Sequence, residues 1–561
     1  MKPVEKFLYL VSRSTTFALI LFGLQFPAAL LGSALEVGSK KQLFIDHKFI
    51  ESTEGVALTM NPPVRTGQLL ITADAPWEKD LRVASYSTVI AEDGLIRVWY
   101  NIVGKQRIPR QNPDFMGLAY AESRDGIHYT KPILNLVEYQ GSKANNLVLP
   151  GDPGMLSIGG GSVQRDDNPN CPPTERYKTW MKIYPKRGVQ MHGPSRIWVS
   201  PDGIHWTLSE KKVTGLRATD TQLTWFWEPR IGRYVVYCRE WVQFEGERQI
   251  RMASYNESDD LFKWENTRII LEPDAKDFSA VVRPLVVMDK MFVERERLKN
   301  LPAKAPNRSG EENPASTDRF ADNVPPPGAP VDVYGPGVMR YQEADSVYVA
   351  LAAMFHHSWQ ERGTPTPDRP DTGDVALALS RDGKNFNRVG DRKPFLGVGP
   401  AGTFDSRWLW PMPGLVRRGD EIWIYYYGMN IDHSQRVDPE SPSALAGISR
   451  AILRLDGFMS ADFDYTGGTI LTPTVRFEGS RLELNLNTGA GGLGRIEIQD
   501  DQGQPIPGFT LADADFLNGN SVRMRASWKG NSDVSSLAGK PVRLLVKMRS
   551  AKLYAFQFKA E

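Results

Sequence analysis

Two cysteines in 561 residues, Cys171 and Cys238, allow at most one disulfide and exclude a scaffold stapled by several. A zinc site made of thiolates is excluded with them. Charge of one sign is also missing. Lys and Arg total 68 against 66 Asp and Glu, a net of +2, unlike the one-sided basic surface that holds a nucleic acid. After residue 34 no apolar stretch approaches the roughly 20 residues of a membrane-crossing helix. Gly159-Gly160-Gly161 lies within a strand pattern and precedes no helix or Lys-Ser/Thr, so it makes a poor phosphate cradle.

Aromatics are plentiful: 14 Trp, 19 Tyr and 24 Phe. Flat rings suit β cores, and the same faces stack on sugars. At the N-terminus, Lys2, Lys6 and Arg13 flank an apolar run over 17–31 that ends in Gly32-Ser33-Ala34. This is the layout of a signal peptide over 1–34, cleaved near Ala34, and it predicts a secreted or periplasmic protein with no membrane attachment afterwards. No Cys stands at the cleavage site to carry a lipid.

A small design recurs along the chain. Ser123-Arg124-Asp125-Gly126-Ile127-His128-Tyr129, Ser200-Pro201-Asp202-Gly203-Ile204-His205-Trp206, Ser258-Asp259-Asp260-Leu261-Phe262-Lys263-Trp264 and Ser380-Arg381-Asp382-Gly383-Lys384-Asn385-Phe386 share it, with a weaker copy at Asp456-Gly457-Phe458. Asp accepts bonds from the backbone that follows it and Gly enters positive φ freely, so the pair reverses an antiparallel strand. Three more strands surround each turn, giving five units of four alternating strands. Four-stranded sheets repeated around an axis predict an all-β fold, a five-bladed β-propeller, over 43–470. The Pro-, Asn- and Ser-rich stretch 300–331 reads as a loop inserted in it. From 471 to 561, short strands between Gly- and Asp-rich turns predict a β-sandwich.

An acidic residue precedes the first strand of each unit: Asp80 with Glu78, Asp152, Asp220, Asp332 and Asp405. First strands line the axis of a propeller, so the five form a ring that a ligand would meet.

A five-bladed propeller with Ser-x-Asp-Gly-x-x-Trp turns and a trailing sandwich resembles the glycoside hydrolase propeller superfamily of invertases, arabinanases, β-xylosidases and levansucrases. The resemblance implies a carbohydrate substrate, an exported monomer and three axial carboxylates sharing the roles of nucleophile or base, stabiliser and general acid. On this chain it points to Asp220 and Asp332, with Glu78 or Glu228 as acid and Asp405 as a further stabiliser. Trp225, Trp227, Trp408, Trp410 and Tyr334 would stack on sugar. No cofactor is required, but the resemblance allows a structural calcium near a central His, for which His356-His357 offers a place. The invertase motifs are not preserved. Trp227-Glu228-Pro229 matches Arg-Asp-Pro only in part, and Cys238-Arg239-Glu240 has a different order from Glu-Cys. A carbohydrate-binding propeller without catalysis uses the same funnel, and a protein-binding one predicts an uncharged funnel beside a large apolar patch.

Overall fold

In the computed structural model, the described residues are 34–560 except 105–115, 150–155, 158–161, 185–194, 217–220, 244–248, 279–330, 358–370 and 434–436. The signal peptide up to residue 33, the 300–331 loop up to residue 330, the triple glycine, Asp152 and Asp220 thus fall outside them, while Val331 opens a strand rather than ending a loop. The described chain is all-β apart from one four-residue helix, Ala275–Phe278, and short 3-10 turns. Both thiols are free.

Five four-stranded antiparallel groups, called sheets one to five, follow one another along the chain, the fourth and fifth being joined into one larger sheet by a parallel bridge at Gly373 and Trp408. In the first, Thr88–Glu92 pairs with Leu95–Gly104, which pairs with Met116–Ser123. The second orders Val163–Arg165, Tyr177–Tyr184, Ser195–Ser200 and Thr207–Lys212, and the third Thr224–Glu228, Arg233–Gln243, Gln249–Ser258 and Glu265–Leu271. In the fourth, Val331–Gly335 and Val338–Arg340 both pair with Tyr348–His356, which continues to Thr372–Ser380 and Asn387–Arg388. The fifth runs Trp408–Arg418, Glu421–Met429, Ala446–Arg454 and then Val64–Arg65, a strand from the other end of the sequence.

Contacts between successive sheets carry the order round and join the last to the first. Val163 N–H donates to Thr88 Oγ1 (3.2 Å) between sheets one and two. Trp225 N–H donates to the Gln164 amide oxygen (3.3 Å) between two and three. Arg251 reaches Asp332 between three and four, and Gly373 pairs with Trp408 between four and five. Gly414, at φ +121°, lies so close to Val89 that a Cβ would fall 2.1 Å from the Val89 carbonyl oxygen, which joins five to one. Gln222 ties three sheets at once. Its amide donates to the Ser87 carbonyl (2.8 Å) and accepts from the Trp410 indole (2.5 Å).

The repeated turns do more than reverse strands. In Ser200-Pro201-Asp202-Gly203, the Ser200 hydroxyl accepts from Asp202 and Gly203 N–H, while Asp202 Oδ1 accepts from Ile204 and His205 N–H. The closed turn then docks on the preceding sheet, where the Gly203 carbonyl accepts from the Trp99 indole at 2.7 Å. Gly126 and Gly383 repeat the contact with the hydroxyls of Tyr425 and Tyr237, both at 2.9 Å. A Cβ on Gly203 would meet the Trp99 ring at 2.7 Å, so this position requires glycine for space as well as for its φ of +78°.

The last two sheets form the sandwich, and their membership corrects the boundary at 470. Leu35–Gly38 and Ser52–Glu54 join Gly468–Leu471, Val475–Phe477, Leu493–Asp500 and Pro541–Arg549. Gln42–Leu43 and Val56–Met60 join Met459–Phe463, Arg481–Asn487, Asn520–Arg525 and Ala551–Lys559. Alternation identifies a strand without naming its partner, so Met459–Phe463, which follows sheet five in the chain, pairs within the sandwich, and Val64–Arg65 is the fourth strand of sheet five. Asp46 accepts from Lys48 N–H (3.0 Å) at a 3-10 turn and binds Arg381. Phe477 stacked on Phe558 at 3.7 Å anchors the sandwich core.

Replacing Gln222 by Leu strands the Trp410 indole N–H and the Ser87 carbonyl where water does not reach. Urea unfolding is expected to show a loss of about 2–4 kcal/mol, against about 0.5 kcal/mol or less for an exposed control such as Gln502→Leu.

Candidate functional site

The strand Val331–Gly335 is the place to begin. Val331 and Val333 alternate into the core between the third and fourth sheets, while Tyr334 packs against the aromatic cluster shared by sheets one, four and five. Asp332 is 1% exposed. It accepts from the Arg251 guanidinium at 2.6 Å, from His357 Nε2 at 3.0 Å and, more loosely, from Arg251 N–H at 3.4 Å. Burial pushes its pKa up, but the His357 bond and the Arg251 charge outweigh it and hold the carboxyl below its ordinary value.

Around Tyr334 the rings meet edge to face: Trp408 at 5.9 Å, Trp410 at 5.4 Å and Phe355 at 5.8 Å between centroids. Its hydroxyl stands 3.3 Å from His433 Nε2. The guanidiniums of Arg251 and Arg239 lie over its ring at 4.8 and 5.5 Å, and over Trp241 at 4.4 and 4.7 Å. Pairing explains this, since Arg251 is directly opposite Trp241 and Arg239 is two residues before it on the same strand face. Beside Trp410 is a recess of about 200 Å³ lined by Gln222, Thr224, Gly335, Gly337, Pro411 and Pro413. Prolines at 411 and 413 are tolerable because this strand's second edge is paired only at Trp408, with Gly373, and its register against Glu421–Met429 is irregular from Pro411 to Leu415.

The expected carboxylates separate. Asp332 is in the cluster, and Asp220 lies outside the described residues. Glu78 is buried at a 3-10 turn beside the first sheet, where it accepts from Ala75 N–H, the Tyr100 hydroxyl and Lys131. Glu228 accepts from the Tyr348 hydroxyl and from Arg230. Tyr348 and Phe355, the latter paired with Asp332, are seven residues apart on one strand. Glu228 and Asp332 therefore lie at opposite ends of it, roughly 23 Å apart at strand rise. Asp405 accepts from Arg65, Tyr426 and Thr403, each at 2.9 Å, and so braces the closing strand Val64–Arg65. Each of these three acids sits where the sequence places it, before or within a first strand, but its partners come from other elements.

The aromatics also divide. Tyr334, Trp408 and Trp410 belong to the cluster, although the Trp410 indole N–H is taken by Gln222. Trp225 is buried with Trp180 and Tyr234 in the core between sheets two and three, and Trp227 packs edge-on against Tyr234 beside Glu228. Neither faces the cluster. Arg239, Trp241, Arg251, Phe355 and His433 are members that the sequence reading missed. The signal was Arg239 and Trp241 at a two-residue spacing on a strand, with Arg251 across a hairpin. As for a calcium, His357 Nε2 faces Asp332 and His356 Nε2 binds Asp374 at 2.9 Å. Among the described residues no three His, Cys, Asp or Glu side chains are grouped to hold an ion, and this donor set does not fit one.

No family model matches the sequence, and no curated protein matches it. Among solved structures, a β-1,2-mannobiose phosphorylase from Listeria innocua is similar over 71% of this chain and 98% of its own, at 12% identity and a TM-score of 0.39. An N-acetylgalactosamine deacetylase from F. plautii matches over 72% and 96%, at 12% identity and a TM-score of 0.39. A glycosyl hydrolase from Bacteroides ovatus matches over 73% and 97%, at 14% identity and a TM-score of 0.33. Likeness at this level assigns no reaction, and the functional reading rests on the cluster itself.

Asp405→Asn leaves Arg65 without its counter-charge. It is expected to cost about 1.5–3 kcal/mol in urea unfolding, and folded protein should keep any ligand affinity measured by titration calorimetry.

Proposed function

We propose that the five sheets form a five-bladed propeller whose Asp332 end is a carbohydrate site, and that the exported protein cleaves a glycosidic bond there. The observation that carries this reading is the pair of part-exposed rings Tyr334 and Trp241, bridged by the Arg239 and Arg251 guanidiniums, beside a buried carboxylate held charged. Rings present flat apolar faces to a pyranose, while guanidinium, imidazole and hydroxyl groups supply the few directed bonds that fix its orientation. A carboxylate kept ionised is suited to stabilise the positive charge that develops at the anomeric carbon, and unsuited to donate a proton. The proton then comes from a second group. With Glu78 and Glu228 bound elsewhere, Asp220, two residues before the Gln222 hub, is assigned that role from its place in the sequence.

The test is a screen of the mature chain on a panel of plant and algal polysaccharides, read by reducing-end release. Asp332→Asn and Asp220→Asn are each expected to lower turnover at least about 100-fold, with circular dichroism confirming a folded chain. Full turnover by Asp332→Asn would sink the assignment. Binding that Trp241→Ala abolishes, with no product from any polysaccharide, would replace it with a carbohydrate-binding module.

A further inference from the structure

We propose that His357 is a positioning residue for this site: together with Arg251 it keeps Asp332 ionised, and it thereby sets the acid limit of activity. The inference rests on the reading of Asp332 as the charge-stabilising carboxylate. A carboxyl 1% exposed takes up a proton unless donors hold the charged form. Asp332 Oδ2 receives two donors, Arg251 Nη1 at 2.6 Å and His357 Nε2 at 3.0 Å. Among the described residues Oδ1 has only the 3.4 Å contact with Arg251 N–H, and it is the oxygen with capacity for an incoming group.

The imidazole is fixed in place. It is 4% exposed and lies 3.9 Å from the Phe355 ring, which itself packs against His433 at 4.7 Å. The Asp332 bond also assigns the tautomer, because a neutral ring must carry its proton on Nε2 to donate there. Among the described residues, the other charged or titratable groups around Asp332 are Tyr334 on its own strand, Arg239 over the Tyr334 ring, His433 beyond Phe355, and Asp374, which is bound to His356. Glu240 alternates to the other face of its strand, with Cys238. Cations thus dominate this surrounding. The largest influence lowering the Asp332 pKa is the His357 bond, ahead of the Arg251 charge.

The sign follows from the direction of that shift. A carboxylate depressed on folding adds stability that is present above its unfolded value, about 3.9, and lost as pH falls through its folded value. Without His357 the folded value rises. The acid limb of activity then moves to higher pH, and the stability contributed near neutrality shrinks.

The experiment compares the full chain with His357→Leu and His357→Gln, the second keeping an N–H donor. With the polysaccharide found in the screen, the acid limb of turnover is expected about one pH unit higher in His357→Leu, and most of the shift should be recovered in His357→Gln. An unmoved limb in His357→Leu, or equal shifts in both variants, would overturn the proposal. Urea unfolding from pH 7 to pH 3 needs no sugar. The stability gap between wild type and His357→Leu should close as pH falls, and a gap constant with pH would reduce His357 to packing and overturn the proposal. A closing gap with no sugar turned over leaves the dyad standing and defeats the hydrolase reading alone.

Discussion

One primary amide stands at the meeting point of three sheets. Gln222 donates to the first sheet and accepts from the fifth while belonging to the chain segment that enters the third. An amide is suited to this position because it offers donor and acceptor from one planar group, and the two partners leave little capacity idle. The first strands of these sheets have an edge without ladder neighbours, apart from the bridge between Trp408 and Gly373. Buried backbone groups on such edges have to be met by side chains, and Gln222 with Thr88 and Gln164 does this where five separate sheets become one body.

The periphery is secured by a different device that depends on the same ring. Each closed Ser-x-Asp-Gly turn presents a glycine carbonyl to an indole or phenol of the sheet before it. The turn is stiffened from within by its Asp and Ser, so its carbonyl points outward at little further conformational cost. The aromatic that receives it is buried for the same reason. Hub and turns therefore constrain neighbouring sheets at two radii, which holds the strand ends near Asp332 in register.

Local chemistry made much of this legible. Asp-Gly turns and period-two alternation depend on adjacent residues, and they located most strands of each unit, though not the outer strand of the first and the fifth. Partners far away in sequence could not be read. Glu78 is bound by Lys131, Glu228 by Tyr348 and Asp405 by Arg65, which are 53, 120 and 340 residues distant. Each acid therefore looks available when only the sequence is read. Asp332 was recognisable by position, but the environment that keeps it charged comes from Arg251 and His357 on other strands. The same limit hid the pairing of residues 35–60 with the sandwich, since alternation says that a strand exists and which face is apolar, not where its neighbour lies.

The closing strand Val64–Arg65 and the sandwich strands before it bear on how the chain is made. Leu35 pairs with Val475, Gln42 with Phe556 and Val64 with Ile452, so the earliest-synthesised strands have no partners until almost the whole polypeptide has emerged. Sheets one to four can form from contiguous sequence as it appears, whereas the fifth sheet closes only when Ala446–Arg454 reaches Val64–Arg65, and both layers of the sandwich wait for the last hundred residues. Pairings of such long sequence separation form late and slowly, and until then the segment 35–65 exposes unpaired strand edges to aggregation. The two ends of the molecule thus act as a latch that completes in a single late step, making arrival of the C-terminal strands the event that commits the chain to its native state.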